Sequence, residues 1–280
     1  MNEKQQFYND FYKELETAME PVGGQLHEIT VPKNNSTMKG ITVKFDDRPM
    51  APTVYPDLYY GDWKEGVSVK DIVSGLKKEL INTMPGISKF DIGSMNRDSA
   101  PGHLYAAVVS YDNNKGWLAN VPHERMADLA VFAKWKFATS DLDSVASAKI
   151  TDQLLTHLQL TKEEALKIAK HNTAQDVRFV GMNDMMAGIL MDEGMDKELA
   201  EAMMGQELVP LKVLTNESGI DGAALIACPE ALKSVHRQMG EDFYILPSSI
   251  HEALILPKSF TDNVDDLKQM VQSVNQSEFQ

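Results

Sequence analysis

The sequence predicts an α+β protein of mixed helices and largely antiparallel sheets, with a C-terminal half ordered as helices followed by ββαββα. Three observations carry this. Apolar residues recur every three or four positions in 4–20, 69–83 and 264–274, the period of a helix with one buried face. Ile41, Val43 and Phe45 alternate with Thr42 and Lys44, the period of a half-buried strand. Strand-like runs come as neighbours joined by turn residues, which favours antiparallel pairing.

The first helix covers 4–20, with Phe7, Phe11, Leu15 and Met19 on one stripe and Pro21 and Gly23-Gly24 at its end. Strands at 27–31, 39–45 and 51–55 then form a meander, with turns at Lys33-Asn34-Asn35 and Asp46-Asp47-Arg48-Pro49. Ser68 caps a helix from Val69 to about Thr83, which Met84-Pro85-Gly86 closes. Longer strands follow at 104–111 and 126–137, the turn residues Asp112 to Gly116 lie in a loop between strands, and Ser144 to Ile150 is a further strand.

In the second half, Thr161 and Glu164 have the spacing of a capping box. Met-rich helices follow at 182–191 and 197–204. Methionine is adaptable core filler, and it also lines apolar grooves that accept varied partners. Residues 208–215 and 223–227 are read as a hairpin around Asn216 to Gly219. Pro229 opens a helix to about Met239, Tyr244 to Leu246 and Ile250 to Leu256 form a second strand pair, and Asn263 caps the last helix. The apolar pattern breaks at SDLDS, so two regions are expected, 1–140 and 141–280, or one continuous family domain.

The chain has 280 residues and a formal net charge of -14. That charge argues against a nucleic-acid partner, because such binding rests on Lys and Arg neutralising phosphates. A single cysteine, Cys228, excludes an intrachain disulfide and a thiolate metal cluster. At the start of a helix its thiol pKa could be lowered, but a buried small hydrophobe is the better reading. No apolar run approaches a membrane span, and the N-terminus lacks the charge and apolar pattern of a signal peptide, so a cytoplasmic protein is expected. No phosphate-binding loop, dinucleotide fingerprint or metal-ligand spacing occurs, so no cofactor and no metal are expected.

Two polar segments are candidate sites. In FYILPSSIHEALILP, Ser249 and His251 share a face of the expected strand, Glu252 points away, and Ser248 is a binding candidate. A nucleophilic serine needs an oriented imidazole and an oxyanion hole, and no G-x-S-x-G elbow is present. A polar strand end satisfied by hydrogen bonds is therefore favoured. The second segment is PHERMAD: His123 and Asp128 are catalytic candidates, Glu124 and Arg125 binding candidates. Asp128 is expected inside a strand on the face of Ala130 and Phe132, where a carboxylate needs a partner.

The segments KNNSTMKGITV, APTVY, VPHERMADLAV, LTKEEALKIAKHNT, VLTNESGIDGAALI and FYILPSSIHEALILP, in this order, resemble the bacterial domain-of-unknown-function family 5688. The resemblance implies an origin in Firmicutes, often on mobile elements, and no particular activity. It points to the PHERMADLA and LPSSIHE segments as the places to look. The function expected is that of a non-enzymatic accessory protein binding a protein partner through an apolar groove or an acidic face. The alternative is a small-molecule hydrolase using Ser249, His251 and a carboxylate.

Overall fold

The computed structural model describes residues 2–45, 51–87, 95–137, 147–204 and 209–277. The expected turn at 46–49 lies outside them. The chain is an α+β protein, and every strand pair among the described residues is antiparallel. It divides into two compact units, 1–95 and 96–280.

The first unit opens with α1 (Glu3–Met19), capped by Asn2, whose side chain accepts the Lys4 N–H. The strands β1 (Gln25–Lys33), β2 (Ser36–Lys44) and β3 (Thr53–Val54) form a meander in that order. A short α2 (Tyr60–Lys64) and a long α3 (Val69–Ile87) follow. The Asp71 N–H donates to Ser68 Oγ at 3.1 Å, as the cap requires. α3 does not stop at Met84 but continues past Pro85. The proline ring fixes a φ that suits a helix, and so near the end it removes only one late backbone bond. The predicted stripes meet in one core: Phe7, Phe11, Leu15 and Met19 of α1 with Ile41 and Val43 of β2, Phe45 just after it, and Ile72, Val73, Leu76 and Leu80 of α3. Each large side chain buried there contributes about 1.5–3 kcal/mol relative to exposure.

This core also holds tyrosines in their neutral form. Burial, then the charges of Glu28 and Asp57, pushes the Tyr8 hydroxyl up to about 12, and burial first raises Tyr12 and Tyr59 as well. An unfolded chain ionises its tyrosines near ~10. The folded state is therefore favoured fully below ~10 and loses that advantage as pH rises towards the folded pKa. Phenolate absorbance followed against pH should show late-ionising tyrosines that titrate as the first unit unfolds. A single uniform titration near ~10 with the fold retained would contradict this.

The second unit starts with α4 (Ala100–His103) and β4 (Leu104–Ser110). Residues 112–116, expected as a loop, lie within a helix, α5 (Tyr111–Leu118). Asn114, buried within it, donates to the Ser110 carbonyl at 2.8 Å and accepts from Trp117 Nε1 at 2.9 Å, and Leu118 fills the core beside it. The single strand expected from Met126 is two strands, β5 (His123–Met126) and β6 (Leu129–Lys136), joined by Ala127-Asp128. Ala127 has a φ of 54°, which an L-residue seldom adopts and which gave no turn signal. β7 (Ser147–Lys149) pairs with β6, completing the sheet β4-β6-β5 with β7 alongside. The division expected near Asp141 therefore gives way to one at Met95: strands on either side of Asp141, itself outside the described residues, share one sheet.

Next come α6 (Asp152–His157) and α7 (Lys162–Thr173), the latter with the full Thr161–Glu164 capping box. β8 (Arg178–Gly181), α8 (Met182–Asp192) and α9 (Lys197–Met204) lead to β9 (Lys212–Thr215). The hairpin partner expected at 223–227 is a 3-10 helix, Gly222–Ala227, almost wholly buried. A short run apolar on every side has no period to distinguish strand from helix. The ββαββα order is modified accordingly, and β9 pairs with β8 and β11 instead. α10 (Pro229–Met239), β10 (Phe243–Pro247), β11 (Ala253–Pro257) and α11 (Val264–Ser277) close the chain. The sheet order is β10-β11-β9-β8, so β11 is central, as its apolar sequence requires.

Candidate functional site

The two polar segments belong to different elements, and each is absorbed by local bonding. β10 and β11 pair up to Pro247 opposite Ala253, which leaves residues 248–252 as a loop. Ile250, His251 and Glu252, expected in the strand, lie in this loop, so strand alternation does not govern them. Ser248 Oγ donates to Glu252 Oε1 at 3.1 Å, and the Ser249 N–H donates to the Glu252 carbonyl at 3.3 Å. Ser249 Oγ accepts the His251 N–H at 3.0 Å. Serine and glutamate side chains thus close the turn that Pro247 begins.

His251 is tied to a second loop. Its Nδ1 accepts the Asp221 N–H at 3.2 Å, and its carbonyl accepts Thr215 Oγ1 at 2.8 Å. With Nδ1 accepting, the neutral ring carries its proton on Nε2. The Asn216 side chain organises this second loop, donating to the Ile220 carbonyl at 2.8 Å and accepting the Ile220 N–H at 3.1 Å. Asp221 follows in the left-handed region with a φ of 57°, a conformation that Asp tolerates better than most residues. Its carboxylate meets Lys134 of β6 at 2.5 Å, with side-chain exposures of 11% and 18%.

This ion pair was not singled out in the sequence. The signal for it was Lys134 itself, which shares a sheet face with Ala130 and Phe132 in a strand otherwise buried. A lysine on such a face needs a carboxylate. Lys136, two positions on, lies over the Tyr105 ring at 4.1 Å. Burial lowers its pKa, opposed by the charges of Asp221 and Asp176.

In the PHERMAD segment, His123 Nδ1 donates to the Val121 carbonyl at 2.8 Å. Glu124 bonds to Lys170 of α7. The Arg125 guanidinium lies 3.7 Å from the Tyr111 ring centre and donates to the Ala127 carbonyl at 3.1 Å. Asp128 is exposed in the β5–β6 turn rather than within a strand, so the partner its burial would have demanded is not required. Cys228 is buried, donates its S–H to the Ala224 carbonyl, and burial pushes its thiol up to about 11. The thiol-lowering position suggested by the helix start is outweighed by desolvation. Among the described residues no group of three or more His, Cys, Asp or Glu side chains is placed to hold a metal ion. No helix among them is long and apolar enough to cross a membrane.

Residues 4–280 match a family described as DUF5688, a family of unknown function. The chain belongs to this family. No curated protein and no solved structure matches it. Membership in DUF5688 thus brings no substrate or partner with it, and the chemistry must be argued from this chain's own surface.

One further feature of this DUF5688 chain stands outside the polar loops. The α8–α9 pair, residues 182–204, carries seven methionines, six acidic residues and one lysine. Met186 and Ile189 on α8 are each 44% exposed and Met191 is 40% exposed, while Leu199 and Met203 on α9 are 55% and 60% exposed. Met186 with Ile189, and Leu199 with Met203, lie three and four residues apart, each pair on one side of its helix. Asp184, Asp192, Glu193, Asp196 and Glu198 are exposed around them.

Proposed function

We propose that this protein is a non-catalytic binding protein whose α8–α9 helix pair takes up a basic amphipathic segment of a partner protein. The observation that carries this reading is the exposure of five large apolar side chains in a pair of helices with a net charge of minus five from its six acids and one lysine. Clustered exposed apolar residues with a charged rim are a mark of recognition surfaces. Methionine's flexible thioether suits a groove that repacks around an incoming helix. The acidic rim selects a cationic partner and opposes a second copy of this acidic chain.

The hydrolase alternative has less support. Its serine, histidine and carboxylate are adjacent, yet Ser249 Oγ accepts a backbone N–H, Glu252 accepts Ser248, and the imidazole Nδ1 faces a backbone N–H in place of a carboxylate. A nucleophile–base–orienter chain needs other connections.

Calorimetric titration of the purified protein with a synthetic Leu/Lys amphipathic peptide tests the binding reading. Saturable binding in the micromolar range, weakened by salt, is expected. Its Leu/Glu counterpart should bind at least about ten-fold more weakly. Equal affinity for both peptides, or none for either, would refute the proposal.

A further inference from the structure

A cleft of ≈ 760 Å³ opens between α10, β10 and the residue after β11. Small-molecule sites commonly fall in the range of roughly 300–1,000 Å³. Its wall is mainly apolar and aromatic, from Leu232, Phe243 and Tyr244, all half-buried. Three cations line it: Lys233 and Arg237, one helical turn apart on α10, and Lys258. The Lys258 N–H donates to the Asp242 carbonyl at 2.8 Å, which fixes the far rim.

None of these three cationic side chains has a hydrogen-bond or ion-pair partner among the described residues. Two acids, Glu230 and Asp242, line the cleft as well. Asp242 lies 4.0 Å from His236 with 77% exposure, and Glu230 lies 3.9 Å from His171 with 68% exposure.

We infer that the cleft binds a small organic phosphate with a flat aromatic body, of the mononucleotide class. A guanidinium and two ammonium groups lining one cleft suit a dianionic phosphate, which Arg can grip with two N–H donors. Phe243, on the α10 side of β10, offers stacking surface for an aromatic body. A nucleic-acid polymer is disfavoured, since the overall negative charge repels an extended phosphate chain while a single phosphate meets only the local cations. The site is separate from the α8–α9 face, so either proposal can fail without the other.

Fluorescence titration of the full chain with N-methylanthraniloyl-ADP tests the inference. Saturable binding is expected, with competition by unlabelled ADP. Adenosine alone and inorganic phosphate alone should each compete at least about ten-fold more weakly, since each supplies half of the recognition. The Lys233→Ala/Arg237→Ala variant, exposed at both positions and expected to melt like the parent, should bind about ten-fold more weakly or worse. Absence of saturable binding, undiminished binding by that variant with its fold retained, or competition by inorganic phosphate equal to that by ADP would each overturn it.

Discussion

Lys134→Ala is expected to destabilise the 96–280 unit by about 3 kcal/mol, because it leaves the buried Asp221 carboxylate without its cation. For a unit of this size that corresponds to a fall of roughly 6–12 °C in the melting transition. The pair joins β6 to the loop before the 3-10 helix, elements 87 positions apart in sequence. The reverse substitution, Asp221→Ala, orphans Lys134 and should cost a similar amount. Lys134→Met/Asp221→Leu should lose less than either single change, since removing both partners leaves no buried charge. Thermal melts of the four proteins check this. If Lys134→Ala melts with the parent, the pair is solvated and contributes little.

Gly222→Ala is the second large effect, and its cause is steric. A Cβ at Gly222 would stand 2.4 Å from the His251 carbonyl oxygen, 2.4 Å from Thr215 Oγ1 and 3.0 Å from the Asn216 nitrogen. Two of these are backbone atoms, so they yield only if the 248–252 loop moves off the 216–221 loop. That movement breaks the Thr215–His251 hydrogen bond. A loss of about 3 kcal/mol is expected, at the upper end for forcing one carbon into a packed site. Denaturant unfolding should show a lower midpoint, with the loss confined to the 96–280 unit. An unchanged midpoint would mean that the two loops are not in close contact.

The parts of this fold legible in the sequence are those governed by local chemistry. The α1 stripe of Phe7, Phe11, Leu15 and Met19 was readable from its period, and all four are buried. Ser68 and the Thr161–Glu164 box were readable because a cap needs only residues a few positions apart. What escaped depended on partners distant in sequence or on backbone states that side chains do not announce. Ala127 turns the chain at a positive φ without being a turn residue, so the expected strand from Met126 ran through the turn, β5 went unread and Asp128 was placed wrongly inside a strand. The apolar run 222–227 carries no period, so its 3-10 form depended on tertiary packing. In the candidate site, strands on either side of Pro247-Ser248-Ser249 were legible, whereas the extension of the loop to Glu252 and the Asp221 contacts to His251 and Lys134 were not.

On the reading proposed above, recognition resides in the α8–α9 face and the LPSSIHE loop is structural. This reading is tested most directly by measuring Leu/Lys peptide affinity for three proteins side by side: the parent, Leu199→Glu/Met203→Glu and His251→Ala. The helix variant should keep the parent's melting temperature, since both side chains are exposed, and lose binding about ten-fold or more. His251→Ala frees the Asp221 N–H and should cost about 1 kcal/mol of stability while binding the peptide as the parent does. The account is contradicted if the helix variant binds normally, or if His251→Ala melts like the parent yet no longer binds.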